Sequence, residues 1–530
     1  MNSKYSNTII DSIRRRYLAK GDRSGFRWGV LVIVCLAIFI LVIDTTMMNV
    51  SISALVVDLN TDISVIQAII AIYALIMASL ILLGGKLGDV VGRRKAFTIG
   101  LVIYTIGTAT AALSINALML LIGWAILEGI GAALMLPATA TFITDSYKGK
   151  ERAVAFGMWG GIAAAGAAFG PIIGGFLTTF YTWRLAFGLE VVIAIVILVL
   201  LRWLPLSRPT IKWKDLDAVG AVMSFTGLFL IVLGILQLQS YETWLLVPIL
   251  MIAGGLIMLL FLLWQKRRIA RGLVPLTDIS LLKLRTFNYG NIVGIIQNLT
   301  LAGFLFIIPV FMQSVLDLDA FTTGLIILPT SLTVFIFSVG ATRLSSIIHP
   351  KYLVLIGIAI SMLGSMMLRD EFHFQVDFID LLPGFLVFGT GLGLLLSQIT
   401  NITLSAAGPE QQSDASGLVN TAKQLGTSLG TAFIGVVLII AVFSSIVNGV
   451  IDTGLVPEDQ EDEVAEKILE WFEKLEQGEE PDIPDDLKPY LYEITNNSAR
   501  QGMRISFDTI TVMLGIAFVA AILIPRSMKE

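Results

Sequence analysis

Three acids stand inside long apolar runs of this 530-residue chain: Asp44, Glu128 and Glu190. A carboxylate in hydrocarbon is costly, so it normally faces a cavity or a partner. Such a group either makes a structural hydrogen bond or takes up and releases a proton, and a cation that displaces the proton links the two movements. Asp44 lies well along the first run, Glu128 near the middle of the fourth, and Glu190 in the outer part of the sixth, where a carboxylate close to the interface either serves function or simply reaches water. The second half carries no comparable acid; Gln297, Asn298, Gln398 and Asn401 offer neutral polar contacts there.

The runs that hold these acids define the class of chain. Hydrophobic residues make up 56% and charged residues 14%, and the mean hydropathy is +0.84. That composition predicts an all-α polytopic membrane protein, not a soluble domain. The formal net charge of −4 says little, because such chains separate their charges between the two sides of the bilayer, and no nucleic-acid partner is implied. Cys35 is the single cysteine and reads as a packing residue. GGKLGD lacks the GxxxxGK[ST] spacing, which leaves nucleotide chemistry without support. There is no HExxH and no ligand spacing for a metal, and His349 and His373 fall in loops. Tyr73, Trp124, Trp159 and Phe304 could line a cation pocket, but their spacing reads more simply as core or lipid-facing.

Crossing a hydrocarbon core of about 30 Å takes roughly 20 residues. Fourteen runs qualify, at about 28–50, 65–86, 96–115, 117–141, 153–178, 185–204, 218–238, 243–264, 287–312, 321–341, 351–368, 380–401, 424–447 and 505–525. The first follows Arg14, Arg15, Arg16, Lys20, Arg23 and Arg27 and is too long for a cleaved signal, so it is read as an uncleaved span. Cations gather in that tail, at 86–95, 148–152, 208–214, 266–271 and 343–351, all on one side if fourteen is correct. The positive-inside bias makes that side, with both termini, cytoplasmic. The organisation expected is a tail at 1–27, a six-helix bundle at 28–207, an extra pair of helices at 208–286, and a second six-helix bundle at 287–530. An acidic extracellular insert interrupts the last at about 448–504. Within that insert Val464, Ile468, Trp471, Phe472 and Leu475 recur at helical spacing. It reads as a solvated cap over the outer rim or as a charge funnel for cations. TRLSSIIHPKY at 342–352 weakly echoes GKLGDVVGRRK eight spans earlier, as a duplicated half would.

GKLGDVVGRRK, at 85–95, resembles the loop signature between the second and third helices of the major facilitator superfamily. GAAFGPIIGG at 166–175 resembles the antiporter signature of its fifth helix, and LVIDTTMMNVSIS at 41–53 resembles the first helix of the fourteen-span drug:proton antiporters of the EmrB/QacA type. WRLAF at 183–187 and SGLVNTAKQLGTSLG at 416–430 extend the likeness over essentially the whole chain. The resemblance implies the major facilitator fold, with two six-helix bundles and two extra central helices, working by alternating access.

It also implies roles for residues. Gly85, Lys86, Gly88, Asp89, Gly92, Arg93 and Arg94 form a conformational latch. Gly166, Gly170, Pro171, Gly174 and Gly175 form the antiporter motif; for Asp44 the resemblance and the chemistry agree on a coupling role, while Glu128 and Glu190 join it as coupling candidates on the chemistry of intramembrane acids alone. Two departures matter. Ala125 occupies the place of a family arginine, so an arginine-based relay does not transfer, and Glu128 and Glu190 stand where glutamine and asparagine are common. A more negative cavity favours cationic or zwitterionic substrates. The expected protein is a monomeric, proton-coupled exporter of lipophilic cations in the plasma membrane, with no cofactor beyond the proton and no enzymatic activity. Two other readings are export of a lipid, amino acid or other metabolite, and a membrane sensor or scaffold that binds ligand without moving it.

Overall fold

The structure is a computed structural model that describes residues 23–147, 149–207, 209, 212–239, 245–345, 347–408, 411–454, 465–468, 471, 484 and 486–526. Fourteen helices are long and apolar enough to cross a bilayer, and no strand occurs among the described residues. They are α1 (Arg23–Asn49), α2 (Ile63–Val91), α3 (Arg93–Ala112), α4 (Ala117–Ser146), α5 (Gly149–Phe180), α6 (Arg184–Leu200) and α7 (Ala218–Leu236). The series continues with α8 (Leu246–Ala270), α9 (Arg285–Val310), α10 (Ala320–Leu344), α11 (Pro350–Leu368), α12 (Phe378–Ser405), α13 (Gln412–Asp452) and α14 (Leu491–Ile522).

Helices α1 to α6 pack among themselves, as do α9 to α14, and the two groups meet along two seams, α5 with α10 and α2 with α13. The extra pair, α7 and α8, lies against the second seam: Leu228, Val232 and Ile235 of α7 join Ala71 and Leu75 of α2 and Ala432 of α13. Asp217 fixes that pair. Its carboxylate caps α7 by accepting from Gly220 N at 2.9 Å, and takes bonds from Trp264 Nε1 at 2.9 Å and Gln265 Nε2 at 2.7 Å on α8.

Several helices run beyond the apolar stretches read from sequence. Helix α13 starts at Gln412, not 424, and extends to Asp452, while α14 starts at Leu491, not 505. The polar residues of those extensions have partners. Asp414 pairs with Lys86, Asn496 accepts from Phe374 N at 2.9 Å, and Arg504 lies 3.5 Å from Asp370. The basic tail before residue 23 lies outside the described residues, as does much of the middle of the acidic insert, including Val464, Phe472 and Leu475. Of the insert, Ile468 and Trp471 pack on Val447 and Val450 of α13.

Candidate functional site

The three sequence-distant acids converge. One oxygen from each of Asp44 on α1, Glu128 on α4 and Glu190 on α6 lies within 4.8 Å of the others, and all three side chains are fully buried. Of the two readings of Glu190, the one in which it simply reaches water does not hold: α6 turns it into the first bundle, where its Oε2 accepts from Tyr104 Oη at 2.7 Å. Asp44 Oδ2 accepts from Trp124 Nε1 at 3.1 Å. The Trp124 ring is itself held between Tyr73, with ring centroids 5.7 Å apart, and Phe187, at 5.6 Å edge-on.

Local geometry on α4 sets the site. Residues Leu121–Glu128 are wound as a π-helix, a widened turn that recurs at functional positions. Opposite, Gly107 of α3 lets the backbones touch: a Cβ there would sit 2.5 Å from Glu128 N and 2.7 Å from Gly123 O. Ala125 is buried in the same turn, where the resembling family carries an arginine. Among the described residues no Lys or Arg forms an ion pair with the three acids. Three negative charges this close in apolar surroundings repel strongly, so the cluster is compatible with its surroundings when protons or a cation neutralise it.

Sequence reading placed Trp124 and Tyr73 in the core, and they are fully buried. It missed that Trp124 donates to Asp44 and that Tyr73 packs on the Trp124 ring beside the acids. The available signal was Trp124 four residues before Glu128, the spacing that puts two side chains on one helical face. Reading also passed over Lys423, because the apolar run was begun one residue after it. On α13, Lys423 lines a small hollow with Asn291 of α9 and Thr400 and Thr403 of α12. Phe304 is plain core, stacked on Phe388 at 4.8 Å.

The antiporter-like string has two jobs. Gly170 and Gly174 face α1, where a Cβ would meet Thr46 Oγ1 at 1.9 Å and Met47 Cα at 2.7 Å. Gly175 faces the other half: its Cβ would meet Ala320 O at 2.4 Å, and in return a Cβ on Gly324 would lie 2.5 Å from Pro171 O. Around this crossing Phe321 N donates to Thr179 Oγ1 at 2.9 Å, and Gln313 Nε2 donates to Val50 O at 2.7 Å. These contacts close the face opposite Gly92. Further along the same seam, a Cβ on Gly160, Gly161 or Gly340 would have nothing within 4 Å, and Val339 is exposed.

Asp319 caps α10 on the closed face, accepting from Thr322 N and Thr322 Oγ1, each at 2.8 Å. Partial burial pushes its carboxyl up, but the bonds from Thr322 and Thr179 outweigh this and hold it below the ordinary carboxylate value. A depressed folded-state value contributes stability above the unfolded pKa, about 3.9 for Asp, and loses it as pH falls through the lower value. The melting-temperature gap between wild type and Asp319→Asn should therefore be present at pH 7, begin to shrink as pH falls toward about 4, and vanish only below the lowered folded-state value.

The basic loop after α2 fits its predicted turn. Gly92 has φ +94°, a conformation that favours glycine, and a Cβ there would meet Ser207 O at 2.7 Å. Asp89 pairs with Arg93 at 3.1 Å, and Arg94 Nη1 donates to Leu204 O at 3.1 Å. Lys86 reaches the other half, 2.9 Å from Asp414 on α13. Gly85 and Gly88 leave ordinary contacts with Pro137 and Arg93.

Fold and site together define a polytopic membrane transporter. The chain belongs to the Major Facilitator Superfamily, whose family profile matches residues 34–431. It is 29% identical over 422 residues to the probable actinorhodin transporter of Streptomyces coelicolor, covering 77% of this chain and 72% of that protein. It is also 29% identical over 435 residues to the multidrug efflux pump LfrA of Mycolicibacterium smegmatis, with 81% and 84% covered. Identity to the riboflavin transporter RibZ of Clostridioides difficile is 25% over 411 residues, with 77% and 87% covered. Among solved structures, a bacterial homologue of the human lysosomal transporter Spinster, inward-facing and unoccupied, superposes with TM-score 0.62 at 14% identity. That superposition covers 95% of this chain and 98% of the other.

Proposed function

We propose that this protein is a proton-coupled exporter of amphipathic, cationic compounds, of the fourteen-span drug:proton antiporter type, acting as a monomer in the plasma membrane with both termini cytoplasmic. Its units are the bundle at 28–207, the inserted pair at 208–286 and the bundle at 287–530. The observation that carries the reading is the buried group Asp44, Glu128 and Glu190, which lacks a protein cation among the described residues and so suits exchange of protons for a cationic cargo. Supporting it are the tight α5–α10 crossing at Gly175 and Gly324, with open space at Gly160, Gly161 and Gly340 on the same helices, and relatives that include a named multidrug efflux pump. The Lys86–Asp414 pair serves as the latch between halves, aided by the turn that Gly85, Gly88, Asp89, Gly92, Arg93 and Arg94 build.

Proteoliposomes carrying an imposed proton gradient test this. Adding lipophilic cations should dissipate the gradient, and transport confined to anions would refute the cationic assignment. A relative named as a riboflavin transporter supports the second reading, metabolite export, so riboflavin belongs in the same panel. Binding of a compound with no flux would instead indicate a sensor. For the latch, Lys86→Asp and Asp414→Lys should each cut transport several-fold, and the double swap should recover most of it; no recovery removes the pair from the mechanism.

A further inference from the structure

The acid cluster has more unmet oxygen than proton exchange requires. Four of its six carboxylate oxygens, Asp44 Oδ1, both oxygens of Glu128 and Glu190 Oε1, are buried without a hydrogen-bond partner. The Tyr73 hydroxyl is buried beside the same acids, within electrostatic reach of all three carboxylates, and among the described residues it has no partner outside this cluster. A fully buried tyrosine hydroxyl usually finds a partner. Here side chains from α1, α2, α4 and α6 leave buried oxygen unsatisfied within one cluster, while Trp124 and Tyr104 hold the other oxygens of Asp44 and Glu190.

We propose that Asp44, Glu128, Glu190 and Tyr73 form a binding site for a hard divalent cation of calcium size, which competes there with protons. The donor set is oxygen throughout, which suits Ca²⁺, Mg²⁺ or Mn²⁺ and disfavours softer metals. Hydration separates these. Mg²⁺ gives up its waters reluctantly and demands near-ideal octahedral geometry, whereas Ca²⁺ accepts six to eight oxygens in a flexible arrangement. A fully buried set of protein oxygens whose carboxylates lie within 4.8 Å of one another suits the larger ion. A divalent ion offsets two of the three charges, and one proton offsets the third, so cation and proton occupancy are alternatives at the same oxygens. The inference rests on the reading of this cluster as the cation-exchanging site and adds the identity of a second ion.

The test uses the full-length protein in detergent, stripped with a chelator and titrated calorimetrically with CaCl₂, MgCl₂ or NaCl at fixed ionic strength. Tryptophan fluorescence reports in parallel, with Trp124→Phe identifying the share that comes from beside Asp44. Saturable binding of one Ca²⁺ per chain is expected, at least tenfold tighter than Mg²⁺ and weakening as pH falls. Glu128→Gln should abolish it; Tyr73→Phe, which removes only the hydroxyl, should weaken it by roughly 10- to 100-fold, the range for loss of one supporting contact. Absence of saturable binding overturns the inference, as does unchanged binding in both variants, which assigns the ion to another site. Proton-linked transport without Ca²⁺ binding would sink this inference and leave the proposed function standing. Ca²⁺ binding without proton-linked flux would do the reverse.

Discussion

Glu128→Gln should lose coupled transport by roughly 100-fold or more while the protein becomes no less stable, transport being read in proteoliposomes and stability by thermal unfolding in detergent. The side chains are of nearly equal volume, so the π-wound turn at Leu121–Glu128 and its contact with Gly107 stay packed. The amide cannot carry the exchangeable proton, and it brings two donors to a place where Asp44 Oδ1 and Glu190 Oε1 lack partners. Removing one charge from an uncompensated buried group relieves repulsion, and replacing buried ionic groups is often neutral or stabilising by about 1–4 kcal/mol. A variant that transports normally would take Glu128 out of the coupling set. A variant that unfolds early would show instead that the carboxylate holds the bundle together.

Gly175→Val should abolish transport for a different reason, by preventing closure of the α5–α10 crossing. Its Cβ meets a backbone oxygen, Ala320 O at 2.4 Å, and backbone cannot swing aside as a flexible side chain can. The halves must separate there by about an ångström, and overpacking of this kind costs about 1–3 kcal/mol. Because every 1.4 kcal/mol is about tenfold in a population, the closed state falls by roughly 5- to 150-fold. A cysteine placed at Thr179 should then react faster with a water-soluble maleimide, while expression and folding persist, since Gly175 does not face α1. Gly170→Val should behave otherwise. Its Cβ overlaps Thr46 inside one bundle, so reduced stability is expected together with lost transport. Equal phenotypes for the two would undo the division of the motif into a structural half and a closing half.

Much of this was legible in the sequence because a bilayer imposes a simple rule. An apolar run long enough to cross announces itself, and all fourteen spans lie where hydropathy places them. Their ends were less legible: Asp414 and Lys423 begin α13 as helix although they are not apolar, since helices can continue into water when polar side chains have partners. The acids themselves were visible one by one, as charges in the wrong solvent. Their meeting was not, because positions 44, 128 and 190 share no periodicity, and only the packing of α1, α4 and α6 unites them. The same holds for Lys86, whose charge reads as a topology signal until Asp414, on a distant helix, is found 2.9 Å away.

Helix α13 carries a mechanical consequence. At 41 residues and about 1.5 Å per residue it is close to 60 Å long, well beyond the roughly 40–45 Å of a bilayer with its headgroups. One end is tethered to α2 through Asp414, and the other is gripped by Ile468 and Trp471 beyond the far surface. A continuous helix of that length is a lever with both ends in water. A tilt that breaks the tether on one side moves the far end by a comparable amount, so a molecule that grips the segment around Ile468 and Trp471 would be able to bias how the two halves tilt at their opposite ends.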